Sequence, residues 1–199
     1  IIYIMAIESI CAKLNAGFDA SCDPPSRKYY QQGVIMNKTD IDPATIVITE
    51  PAGAQCDYNV EFTMKAGTTG YKFLGPSAGS NFYGSYDKSR SDLGFPQYKH
   101  NAQILIAGVT EAAKCILDGL DKGSFVVALQ LQDGTVEIYG LGNGLTTGDY
   151  SYNIQEGGGG TPVLLSSLDD APEKLLPLVY NPGVGGDANA DFDANFANP

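Results

Sequence analysis

The sequence contains no tryptophan, a single histidine and few basic residues, and each shortage narrows the functions open to it. Lys and Arg number 12 against 23 Asp and Glu, which gives a formal net charge of −11. Proteins that wrap DNA or RNA need clustered cations for the phosphates, so the composition argues against such a protein. The negative charge is compatible with DNA that passes close to the protein without binding to it. The same charge can also do no more than keep the protein soluble.

The four cysteines (Cys11, Cys22, Cys56 and Cys115) form no C-x-x-C pair, and with one histidine they make a poor zinc set. Cys56 and Cys115 occupy apolar-looking positions, which predicts buried free thiols and a reducing compartment during folding. The opening "IIYIMAIESI" lacks the pattern of a signal peptide, and Met5 is an alternative start. Since no segment has transmembrane length, no membrane partner is expected.

The chain of 199 residues is long enough for one core, and its 24 glycines indicate a turn-rich fold of strands. Cys56, Tyr58, Val60, Phe62 and Met64 alternate with polar residues, which predicts a half-buried strand with a polar outer face. We therefore predict one β-rich domain over residues 1–180.

The clearest local signal is a hairpin in "VVALQLQDGTVEIYG", where Asp-Gly predicts a two-residue turn of type I′. In that register Leu129 faces Ile138, and Gln130 faces Glu137 on the other side. The pattern predicts one face for a core and one for water, or for something in water.

One helix is predicted over "TEAAKCILDGLDKG", directly after the strand-like "HNAQILIAGV". Thr110 is the expected N-cap. Ala112, Cys115, Ile116 and Gly119/Leu120 have helical spacing, so they are the expected core face.

Residues 66–99 are rich in glycine, serine and aromatic residues and show no sustained period. The excess of cations over carboxylates gives this segment a charge of +2; the charged residues are Lys72, Lys88, Arg90 and Lys99 against Asp87 and Asp92. We predict a projecting loop or long hairpin that packs on a partner. Residues 181–199 have little to bury and are expected to form a flexible acidic arm.

Two motifs resemble catalytic or metal-binding patterns without their context. "GPSAG" matches the nucleophile elbow of hydrolases, but Ser77 has no helix after it, so a triad with Asp92 and a surface His100 is not expected. "DANADFD" (187–193) begins like a calcium-binding loop, yet Phe192 replaces the required glycine. We predict no enzyme activity, no metal and no cofactor.

From about His100 to Tyr180 the chain resembles the C-terminal half of the tail tube (major tail) proteins of long-tailed bacteriophages. The resemblance is carried by "LDKGSFVVALQLQDGTVEIYGLGNGL" and "SSLDDAPEKLLPLVY". It implies a mainly β fold, a β-sandwich or half-barrel with one flanking α-helix, and a long loop and extended termini for assembly contacts. It also implies hexameric rings that stack into a hollow tube.

The resemblance further implies a place in the virion tail, with assembly in the host cytoplasm. The expected partners are other copies of the chain, other phage tail or neck proteins, and DNA that crosses the lumen without specific binding. The candidate lumen-facing residues are Asp57, Asn59, Glu61, Thr63, Gln130, Gln132 and Glu137. The candidate inter-ring contacts are Tyr71, Lys72, Phe73, Phe82, Tyr83, Tyr86, Lys88 and Arg90.

Three other readings stay open. The protein can be a different phage structural component, such as a head–tail connector, ring or capsid accessory protein, which would explain an N-terminal third without a match. It can be an Ig-like or adhesin-type surface-binding module. An esterase is a further alternative, which would require a hydrolytic activity that depends on Ser77.

Overall fold

The computed structural model describes residues 29–49, 58–75, 82–108, 110–152 and 160–196, with side chains from residue 32 onward. Their strands are β1 (Tyr29–Asn37), β2 (Val47–Thr49), β3 (Asn59–Glu61), β4 (Tyr71–Leu74), β5 (Tyr83–Arg90), β6 (Pro96–Ala107), β7 (Phe125–Leu131), β8 (Val136–Tyr139), β9 (Thr146–Thr147), β10 (Gly160–Ser166) and β11 (Leu178–Tyr180). The helices are α1 (Glu111–Lys122), α2 (Ala188–Asp193) and a 3-10 turn (Lys38–Asp40). None of these helices is long and apolar enough to span a bilayer.

The strands form two sheets, which confirms the mainly β fold with one substantial helix. The first sheet has the order β2-β3-β11-β8-β7-β1-β4, and the second has the order β5-β6-β10-β9. Neighbouring strands are antiparallel except for β3 and β11, which are parallel. The second sheet packs on one face of the first, as in a β-sandwich.

The first sheet curls around the first of two cores. Ile41, which follows β1, forms a bridge to Met64, which follows β3. Beside this bridge, the Asp42 amide donates to the Thr63 carbonyl at 3.0 Å. The enclosed side chains come from β1, β3, β7, β8 and β11, and α2 adds Phe192. The arrangement is a half-barrel filled by aliphatic and aromatic side chains.

The second core lies between the two sheets and under α1. Strand β6 contributes alternate residues to it, Ala102, Ile104 and Ile106. Helix α1 begins at the N-cap Thr110, whose hydroxyl accepts the Ala113 amide at 3.2 Å as predicted. Because β7 lies between the two cores, all residues from Phe125 to Gln130 are buried.

The hairpin of β7 and β8 differs from its predicted register by one residue. Leu131 donates to the Thr135 carbonyl at 2.7 Å, so the turn contains three residues rather than two. Gly134 has φ +90°, the left-handed conformation that ends a three-residue hairpin turn. Leu129 therefore pairs with Glu137, and Gln130 pairs with Val136. The predicted polar face is wrong, since each face of β7 carries apolar residues of a different core.

The buried face of α1 also differs from the prediction. Ala113 and Leu120 are buried and Leu117 packs against them, whereas Ala112 and Cys115 are exposed. Residues 113, 117 and 120 have helical spacing too, so the sequence offers two apolar stripes and the fold buries the second. The prediction of a buried Cys115 thiol is wrong; Cys56 lies outside the described residues.

Residues 187–196 pack on the first core instead of forming an arm with little to bury. Asp187 caps α2 by accepting the Asn189 amide at 2.9 Å. Phe192 and Phe196 are 0% and 1% exposed. An ion pair of 3.3 Å joins Lys72 to Asp193. Two phenylalanines four residues apart provide the apolar surface for this packing, which the glycine-rich and acidic composition of the segment does not predict.

Residues 66–99 divide between the two sheets. Strand β4 pairs with β1 in the first sheet, while β5 and β6 form a long antiparallel hairpin in the second. Phe82 is buried in the second core. The hairpin alternative therefore describes residues 83–107, whereas β4 is part of the half-barrel.

Candidate functional site

The described part of the chain contains no group of three His, Cys, Asp or Glu that could hold a metal ion. The imidazole of His100 is 3% exposed and is fixed on both sides by backbone. Its Nε2 lies 2.9 Å from the Leu175 carbonyl, and its Nδ1 accepts the Gly140 amide at 3.2 Å. Burial lowers the pKa of His100 to about 4. The expectation of a surface histidine is wrong, and the ring serves the fold; Ser77 lies outside the described residues.

A buried carboxylate organises the turn after β8. Glu173 is 5% exposed, and its two oxygens accept the amides of Gly142 and Asn143 at 3.1 and 2.8 Å. Its backbone pairs with Tyr98 of β6. Both carboxylate oxygens are engaged, so Glu173 links the second sheet to this turn and has a structural role.

The two end strands of the first sheet expose apolar side chains. On β2, Val47 is 58% exposed and Ile48 is 38% exposed. On β4, Tyr71 is 59% exposed and Leu74 is 71% exposed. Within the described ranges each strand has a single neighbour, β3 for β2 and β1 for β4. Each therefore presents an outer row of backbone amides and carbonyls next to apolar side chains.

The β5–β6 hairpin forms a second exposed surface. Its turn carries Leu93 and Phe95, which are 84% and 67% exposed. Tyr86 packs edge-on against Tyr98 at a centroid distance of 6.3 Å. The exposed β5 residues include Lys88 and Arg90. The hairpin therefore combines exposed rings and cations in a chain of net charge −11.

Three candidate lumen residues share one face of the first sheet. Val179 of β11 pairs with Glu137 on one side and with Asn59 on the other. Glu61 lies two residues beyond Asn59 and so points to the same face. We call Asn59, Glu61 and Glu137 the acidic strip. Glu61 is exposed, and Glu137 accepts the Tyr139 hydroxyl at 2.8 Å.

The other candidate lumen residues do not join this strip. Gln130 is 6% exposed on the opposite face, where its amide accepts from Gln32 at 2.6 Å and donates to Asn189 at 2.5 Å. It cannot face a lumen because α2 covers it. Thr63 lies beyond β3 and hydrogen-bonds Thr45, while Gln132 is in the hairpin turn. Asp57 lies outside the described residues.

The candidate inter-ring residues belong to different surfaces. Tyr71 is exposed on β4, but Phe73 packs against the second core and Phe82 is buried in it. Lys72 lies over the Phe192 ring at 5.7 Å and so belongs to the packing of α2. The remaining four, Tyr83, Tyr86, Lys88 and Arg90, are on the exposed strand β5.

Of the exposed apolar residues at the sheet ends and at the hairpin turn, the sequence pattern identified Tyr71 but not the others. Val47, Leu74, Leu93 and Phe95 look like ordinary core residues, and only their positions next to turns or in very short strands hinted at exposure. The chain matches no family model, no curated protein and no solved structure. The exposed sheet edges and the hairpin are therefore the surfaces that point to a function.

Proposed function

We propose that the protein is a structural subunit whose copies assemble into rings, and that the rings stack into a hollow tube. The observation that carries the proposal is the pair of exposed apolar edges, β2 and β4, on one sheet. The resemblance to tail tube proteins adds the expected setting, a virion tail with hexameric rings through which DNA passes.

Within the described residues, the two edges are short but lack most other features that protect an edge strand from pairing. Proteins that remain monomeric protect an edge strand by keeping it very short, or with lysine, proline, a bulge or a covering element. Strands β2 and β4 are short, with 3 and 4 residues. Strand β2 reads Val-Ile-Thr and has neither lysine nor proline. Strand β4 has one lysine, Lys72, but Asp193 of the same chain neutralises it. Backbone hydrogen bonds and apolar contacts to a second copy would satisfy both edges.

The two exposed edges of the first sheet, β2 and β4, differ from each other, and this difference favours assembly into a ring. When β2 of one copy pairs with β4 of the next, every copy uses both edges, and the contact is heterologous. Such contacts close into a ring when the rotation between copies allows it. The exposed β5–β6 hairpin, with Leu93 and Phe95 at its turn, then remains free for contacts between rings.

Substitutions on the two edges test ring formation. We expect Val47→Lys on β2 and Leu74→Lys on β4 each to abolish assembly, because a charge opposes edge pairing. Val184→Lys is the matched control, since Val184 is fully exposed outside both edges. Size-exclusion chromatography with light scattering and negative-stain electron microscopy provide the measurement. Assembly that survives both edge substitutions would exclude this mode of association.

Substitutions at the hairpin turn separate stacking from ring formation. The variant Leu93→Ser with Phe95→Ser removes the exposed apolar side chains of the turn without touching either sheet edge. We expect single rings that no longer stack, visible by electron microscopy. Single closed rings of the unaltered protein would instead favour the alternative of a connector or ring component.

A further inference from the structure

The exposed stripe of α1 lines a groove that has no occupant among the described residues. The groove lies between α1 and β4, has a volume of about 950 Å³, and has the second core as its floor. One wall is formed by Ala112, Cys115 and Ile116, and the other by Phe73 and Leu74. The helical wall continues at Gly119, so it has the i, i+3, i+4, i+7 spacing that normally marks a buried helix face.

The N-terminal part of the chain carries an apolar stripe with the same spacing. Ile7, Ile10, Cys11 and Leu14 are apolar, and the positions between them include Glu8 and Lys13. These residues have the spacing i, i+3, i+4, i+7, which is typical of one face of an amphipathic helix. The sequence of residues 5–16 therefore has the apolar spacing of segments that bind in hydrophobic grooves.

The start of β1 lies close enough for this segment to reach the groove of its own chain. Leu74 in the groove pairs with Gln32. The described chain begins at Tyr29, at most about 10 Å from Gln32, since an extended residue spans about 3.3 Å. The 14 residues from 15 to 28 connect Leu14 to Tyr29. Fully extended, they span about 46 Å.

We propose that residues 5–16 dock in this groove of their own chain, with Ile7, Ile10 and Leu14 against the exposed stripe of α1. The docked segment covers the open side of the second core beside the β4 edge. The proposal concerns the monomer and does not depend on ring assembly.

The thiol of Cys115 reports on the occupancy of the groove. In a background of Cys11→Ala, Cys22→Ser and Cys56→Ser it is the only thiol, and its alkylation rate is measured under conditions in which light scattering shows a monomer. We expect Ile10→Glu with Leu14→Glu to raise the rate at least about tenfold, the factor expected from losing a buried aliphatic contact. The matched control is Glu8→Gln with Lys13→Gln, which changes the polar side only and should leave the rate unchanged.

Three outcomes would overturn the proposal. Equal alkylation rates in the apolar-side variant and its parent would show that the segment does not cover Cys115. Protection that disappears on dilution would show that the segment binds a neighbouring copy rather than its own chain. A second measurement uses the chain with Cys11 and Cys115 retained and a short bis-maleimide, and docking predicts a cross-link within one chain, identified by mass spectrometry. Absence of that cross-link while Cys115 is protected would mean that something else covers the groove.

Discussion

His100 makes the stability of the fold sensitive to mild acid. Its Nδ1 accepts a backbone amide, so protonation would place two N–H groups against each other. The pKa is lowered from 6.5 to about 4, so the unfolded chain binds a proton more readily between these values. The contribution of neutral His100 to the free energy of unfolding is therefore fully present above pH 6.5, and it is lost as the pH drops toward 4. We expect a loss of about 2 kcal/mol between pH 7 and pH 5, measured by urea unfolding.

The control for this prediction is His100→Gln. A glutamine amide can donate to the Leu175 carbonyl and accept from Gly140 but does not titrate. Since His100 is the one histidine of the chain, the variant should lose the pH dependence above pH 5. Equal pH dependence in both proteins would contradict the assignment.

Two glycines should respond in opposite directions to the same substitution. Gly134 has φ +90° in the β7–β8 turn, so Gly134→Ala should destabilise the fold by about 1–2 kcal/mol. Gly119 is in α1, and a Cβ there would meet no atom of the described residues within 4 Å. Gly119→Ala should therefore stabilise the protein by about 0.5–1 kcal/mol. Thermal unfolding of both variants is the measurement, and a shift of the same sign in both would contradict the account of these positions.

Helix α2 should behave as part of the core. Phe192 contacts Phe196 and the Lys72 side chain, and it is fully buried. We expect Phe192→Ala to destabilise the protein by about 3–5 kcal/mol, as for other buried phenylalanines. Val184→Ala, at an exposed position a few residues earlier, is the control. A similar free energy of unfolding for both variants would show that α2 does not hold the first core.

Sequence patterns that involve only neighbouring residues, such as helix caps and apolar alternation, predicted local structure well. Thr110 is the N-cap of α1 because capping involves residues only three apart. Val60, Phe62 and Met64 are buried as their alternation indicated, although the strand itself contains only Asn59–Glu61. The mainly β class with one substantial helix follows from such local signals.

Features that depend on distant parts of the chain could not be predicted. Gln130 is buried because Gln32 and Asn189, each at least 59 residues away, cover its amide. The choice between the two apolar stripes of α1 depends on where the second sheet lies. Tertiary packing therefore divided both candidate sets. Asn59, Glu61 and Glu137 remained together among the lumen candidates, and the four β5 residues remained together among the inter-ring candidates.

The acidic strip gives the proposed tube a testable property. If Asn59 and Glu61 face the channel, added cations there should retain DNA, because phosphates bind clustered positive charge. We expect tubes of Asn59→Lys with Glu61→Lys to bind DNA with an affinity that falls as salt rises. Tubes of Glu111→Lys with Asp118→Lys, on the exposed side of α1, are the control. Equal DNA binding by both would place the strip outside the channel.

The central claim is that unlike edges of the first sheet join neighbouring copies. The most direct measurement mixes two otherwise cysteine-free variants, Val47→Cys on β2 and Leu74→Cys on β4, under mild oxidation. Pairing of β2 with β4 of a neighbouring copy predicts disulfide-linked dimers in the mixture and none in either variant alone. It also predicts rings in the electron microscope. Cross-links that form equally well within a single variant would mean that like edges pair, and such symmetric dimers would contradict the ring.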